Sequence, residues 1–78
     1  MSRADKILKK MRVNPLDWRI DSLKTVARAH NIDWRQSGTS HVTFRNPNGT
    51  KITVPDHRPI KPIYIKKFVD FVDRVIGD

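Results

Sequence analysis

The sequence predicts a small α+β domain: a helix, three antiparallel strands and a helix, after a basic N-terminal helix. Three observations predict it. Two segments, 23–30 and 65–76, repeat their apolar residues at the helical period. Between them, residues 41–45 and 51–54 alternate apolar and polar side chains and are rich in β-formers. Those two runs are separated by Asn46-Pro47-Asn48-Gly49, whose Asn-Gly pair supplies the positive φ of a hairpin turn.

Each element has its own warrant. In residues 2–12, Ile7, Leu8 and Met11 share one side, and Lys6, Lys9, Lys10 and Arg12 fill the other. Asn14-Pro15 ends that helix, because proline disfavours helical geometry in the residue before it. Residues 1–20 thus read as a basic helical extension, and residues 21–78 as the domain. Asp21 or Ser22 is placed to cap the next helix. Its stripe of Leu23, Val26, Ala27 and His30 faces a core, and Asn31 tolerates the left-handed backbone of a helix stop.

Residues 32–36 form a first strand, with Ile32, Trp34 and Gln36 on one face. Ser37-Gly38-Thr39 reads as a turn. On the second strand Val42 and Phe44 share a face, and His41, Thr43 and Arg45 share the other. Pro55 ends the third strand, since proline donates no ladder hydrogen bond. After a proline-rich loop, Pro62 opens the last helix. Its apolar stripe runs through Ile65, Phe68, Val69, Val72, Val75 and Ile76. Two helices on one face of a small sheet leave the other face open.

Length and composition limit the function classes. The chain has 78 residues, one small domain. A chain this size buries only about 60% of its unfolded surface, so a deep enclosed pocket is not expected. It has no cysteine, which excludes a disulfide framework, a thiol nucleophile and Cys-ligated metal. No apolar run approaches a membrane span, and the N-terminus lacks a secretory signal. A soluble cytoplasmic protein with no membrane partner is the expectation. Sixteen Lys and Arg oppose eight acids, all of them Asp, for a net charge of +8. Such an excess on a small domain favours polyanions, above all nucleic acid, although solubility alone also explains it.

His41 is the sharpest candidate. It follows Gly38-Thr39-Ser40 and opens a strand on its polar side. RNA carries its own nucleophile, the 2′-hydroxyl. A nuclease therefore needs mainly a proton acceptor, a proton donor and positive charge at the phosphate. Histidine serves that chemistry near neutral pH, or His41 is simply a polar strand residue. Gly38, Thr39 and Ser40 present amides and hydroxyls to a phosphate, or only join two strands. Thr43, Arg45 and Lys51, with Arg35, either line an RNA-facing surface or form a solvated one. His57 is a second proton-transfer candidate or a plain loop histidine. His30, on an apolar stripe, is structural. Trp18 and Trp34 either stack on bases or belong to the core. Asp70 and Asp73 read as a solvated helix face. The histidines are not spaced as zinc ligands, and no acidic cluster suggests magnesium.

Taken together, these residues resemble the HicA family of toxins from bacterial toxin–antitoxin systems. The resemblance rests on Gly38-Thr39-Ser40-His41 before Val42-Thr43-Phe44, then Lys51-Ile52-Thr53-Val54-Pro55 with His57 soon after. Ile60-Lys61-Pro62 leads into the last helix, with Ile65 and Phe68-Val69 at apolar positions. It spans about residues 21–76. The resemblance implies a fold like the double-stranded-RNA-binding domain. It implies an mRNA interferase, with the essential histidine at His41, no metal or other cofactor, and a HicB-type antitoxin as protein partner. Thr39 stands where the family has serine, and residues 1–20 are longer than the family pattern. That extension is an extra packed helix, an RNA-binding arm or an antitoxin contact. Two rival readings remain open from the sequence: a non-catalytic RNA-binding module, and an interaction domain for an acidic protein.

Overall fold

The structure is a computed structural model. It describes residues 2–36, 38 and 40–77, with side chains through residue 75. Six elements follow in chain order: α1 (Arg3–Val13), α2 (Ile20–Ala29), β1 (Asp33–Arg35), β2 (His41–Arg45), β3 (Lys51–Pro55) and α3 (Pro62–Gly77). The strands form one antiparallel sheet in the order β1-β2-β3. The α+β class and the element order match the sequence expectation.

The core lies between the sheet and the helices. Val42, Phe44 and Val54 point from the sheet into it, where they meet Leu23, Val26 and Ala27 of α2 and Ile65, Phe68 and Val72 of α3. The Phe44 and Phe68 rings meet edge to face, with centroids 5.1 Å apart. That geometry sets the positive ring edge against the negative face.

The extension is part of this core. Ser2 caps α1 by accepting from the Asp5 amide. Ala4, Leu8 and Met11 are buried, Met11 to 1% exposure, in the same cluster as the strands. Helix α1 packs on both α2 and α3. Arg12 pairs with Asp73 of α3, so Asp73 ties two helices together rather than standing on a merely solvated face. Asp70 is exposed and pairs with Arg74 one turn on, at 3.2 Å.

Three local expectations are corrected. Neither Asp21 nor Ser22 caps α2. The helix starts earlier, at Ile20, after an extended Arg19 that gives no side-chain cap. Ile20 is buried, and its packing sets the start ahead of the capping signal. Strand β1 is shorter than residues 32–36. Asn31 adopts φ 59°, as a helix stop, and the Ile32 amide donates to the Ala27 carbonyl at 2.9 Å. Ile32 thus closes the C-terminus of α2 in a Schellman-type arrangement, buried beside Ala27. Strand β3 extends through Pro55, which faces His41 across the sheet.

The β2–β3 turn is wider than a two-residue hairpin. The buried Asn46 holds it, its amide donating to Thr50. Its side-chain oxygen accepts from the amides of Asn48 and Thr50 at 3.0 and 3.2 Å. Gly49 supplies the expected positive φ, 95°.

Candidate functional site

Among the described residues no helix covers the second face of the sheet. Alternation along the strands decides which side chains reach it. Two cross-strand rows follow from the register. Arg35, Thr43 and Thr53 form one, and Asp33, Arg45 and Lys51 form the other. His41 stands at the end of β2, opposite Pro55. A shallow concavity of about 600 Å³ crosses this face, lined by Asp33, Trp34, Arg35, His41, Thr43, Arg45 and Lys51.

The charges on this face are mixed: Arg45 stands between Asp33 on β1 and Lys51 on β3. Arg45 and Lys51 are directly opposed, and like charges in that position repel. Among the described residues Arg35, Arg45 and Lys51 make no ion pair. Their cationic heads therefore remain available to an anion. Within the other row, Thr43 and Thr53 set their hydroxyl oxygens 3.3 Å apart.

The frame of the site is fixed from both ends. At the hairpin end, Asn46 pins the turn that places Arg45 opposite Lys51. At the His41 end, the Asp56 amide donates to the Ser40 carbonyl, which continues the β2–β3 pairing past Pro55. The Gln36 amide nitrogen donates to an Asp56 carboxylate oxygen at 3.3 Å, joining the end of β1 to the loop after β3.

The structure brings together Arg35, His41, Thr43, Arg45 and Lys51, five of the residues singled out from sequence. Gly38 and Ser40 are exposed in the loop before β2 and do not line the concavity. Gly38 has φ 65° and open space where a side chain would stand, so backbone conformation rather than crowding asks for glycine. Thr39 lies outside the described residues. His57 is exposed on the loop after β3 and is not among the lining residues.

The two tryptophans serve packing. Trp34 points to the helix side, opposite Phe44, with the Arg28 guanidinium 5.5 Å from its ring centre. Its edge still borders the concavity. Trp18 packs against the core and donates its indole N–H to the Asn14 carbonyl. Sequence reasoning missed Asp33 as a site residue. Alternation from Arg35 signals it, because residues two apart in a strand share a face.

Among the described residues no three histidine or acidic side chains cluster closely enough to hold a metal ion. None of their helices is long and apolar enough to cross a membrane. Comparison of the chain with protein-family models, curated proteins and solved structures finds no match.

Proposed function

We propose that the chain is an RNA-cleaving toxin, a metal-independent endoribonuclease acting on mRNA and silenced by a HicB-type antitoxin. One observation carries the reading: His41 shares an open concavity with Arg35, Arg45 and Lys51. This sets an imidazole and three cationic side chains on one open surface. The resemblance of residues 21–76 to HicA toxins supports the same reading and a kinship with the double-stranded-RNA-binding fold.

In this reading the RNA supplies the nucleophile. Its 2′-oxygen bonds to the adjacent phosphorus while the bond from phosphorus to the 5′-oxygen breaks. One proton leaves the 2′-hydroxyl and one joins the departing 5′-oxygen. The products end in a 2′,3′-cyclic phosphate and a 5′-hydroxyl. His41 acts as the base or the acid, a contribution of about 10²–10⁴-fold. Arg35, Arg45 and Lys51 neutralise the phosphates, and Thr43 donates a hydrogen bond. The Gly38-Thr39-Ser40 loop approaches the RNA backbone, and His57 is the second proton-transfer candidate.

The test is digestion of a mixed mRNA, in chelator, by wild-type and His41→Ala chains shown to be folded by circular dichroism. Cleavage by wild type alone is expected, with cyclic-phosphate ends. Equal cleavage by both removes His41 from the mechanism. The opposed Arg45–Lys51 pair also fits a module that only binds RNA by shape and phosphate. Salt-sensitive binding of RNA that stays intact, on free transcripts and on ribosomes alike, selects that second reading.

A further inference from the structure

The side of α1 turned away from the core carries a second built surface. Lys6, Lys9, Lys10 and Val13 fall at i, i+3, i+4 and i+7, one stripe of the helix. With Asn14 and Trp18 they line a groove of about 540 Å³, whose walls are mostly apolar. Val13 is 82% exposed and Leu16, nearby in the chain, 54%. Val13 and the Trp18 ring make the apolar part of the groove, with the three lysines at its rim.

The groove is held in shape. The Trp18 indole N–H donates to the Asn14 carbonyl at 2.7 Å. The Leu16 amide donates to the Asn14 side chain, and Asp17 takes the left-handed region at φ 63°. The Ile60 amide donates to the Trp18 carbonyl, which ties the segment to the loop before α3. The charge beside the groove is uncommitted. Arg12, on the neighbouring side of α1, pairs with Asp73. Lys6, Lys9 and Lys10 pair with no acid among the described residues.

We infer that this groove docks an acidic amphipathic segment of a partner protein, with an apolar anchor between Val13 and Trp18 and carboxylates on Lys6, Lys9 and Lys10. The apolar walls favour a protein over a nucleic acid. The indole N–H is already bonded, so the tryptophan offers hydrocarbon rather than a donor. Lys6 and Lys10 stand one helical turn apart, a spacing that acids on one face of a partner helix repeat. The surface lies on α1, apart from the sheet face, and the inference does not depend on RNA cleavage.

The test uses a display library of random peptides about four helical turns long. It is selected on the full wild-type chain and counter-selected on a Val13→Asp, Lys9→Glu, Lys10→Glu triple variant. All three side chains are exposed, and circular dichroism checks that the variant is folded. The expected survivors are acidic peptides with apolar residues at i and i+3 or i+4. A synthetic copy binds wild type at least about tenfold more tightly than the triple variant, a shift of about 1.4 kcal/mol. Arg45→Ala leaves that affinity unchanged. The inference falls if no peptides survive counter-selection, or if survivors lack the acidic and apolar pattern. It falls equally if the triple variant loses binding to a single-stranded RNA or to phosphatidylglycerol vesicles but not to the peptide.

Discussion

The two sides of strand β2 divide the molecule's work between them. Val42 and Phe44 are wholly buried against α2 and α3, and every atom they bury holds the fold together. His41, Thr43 and Arg45, interleaved with them, face a concavity shared with Lys51 and Asp33. On the first side, apolar contacts are maximised. On the second, two cations oppose one another without an acid between them. The comparison teaches that one five-residue run carries a stability code on one side and, in the proposed reading, a ligand code on the other, separated only by the strand period. Substitutions on the two sides are therefore expected to fail in different assays.

The largest stability effect is expected on the covered side. Phe44→Ala removes the ring that meets Phe68 and leaves a cavity, costing about 3–5 kcal/mol in denaturant unfolding. Loss of under about 1 kcal/mol would mean that the helices do not rely on this face. Met11→Ala is next, at about 2–5 kcal/mol, because α1 contributes to the same core. An unchanged unfolding midpoint would mean that α1 adds nothing to the core.

Asn46→Ala sharpens the comparison from the edge. It strips the side-chain acceptor from the Asn48 amide, while the Thr50 amide keeps Asn48 Oδ1 at 2.9 Å, for an expected cost of about 1–3 kcal/mol. It is also expected to weaken RNA binding, since the turn sets Arg45 against Lys51. Stability loss without any change in RNA affinity would separate the turn from the site. The smallest effect belongs to Lys51→Ala. Unfolding is expected to stay within about 0.5 kcal/mol of wild type. The salt dependence of RNA binding drops by about one phosphate contact. An unchanged slope would remove Lys51 from the interface.

Much of this division is legible in sequence because strand alternation is local. His41–Arg45 reads as a strand of the observed bounds, and its faces follow from the period alone. The last helix is equally plain, since Pro62 and the stripe from Ile65 to Val75 agree. Residues 32–36 are less legible because two local motifs compete there. Ile32 suits a strand by type, but Asn31 enters the left-handed region and recruits it to the end of α2. The start of α2 fails for a related reason: burial of Ile20 is a tertiary fact that no capping rule contains.

The candidate site divides the same way. Arg35, His41, Thr43, Arg45 and Lys51 meet because they share strand faces in register. Asp33 belongs with them by the same rule, since it shares the strand parity of Arg35, but an acid carries no phosphate-binding signal. The role of Asn46 is invisible in a turn signal, because burial and two accepted hydrogen bonds depend on the folded loop. Likewise, the spacing on α1 shows a basic stripe, but that Asn14 and Trp18 fold back beside it to line a groove is a tertiary fact.

The most direct test of the central claim is single-turnover RNA cleavage, with the protein in excess, by wild-type, His41→Ala and Arg45→Ala chains. If the open face is catalytic through His41, His41→Ala binds RNA about as tightly as wild type. Its cleavage rate falls at least about a hundredfold, and its unfolding midpoint scarcely moves. Arg45→Ala instead weakens binding first. A His41→Ala chain that cleaves at the wild-type rate would contradict the account.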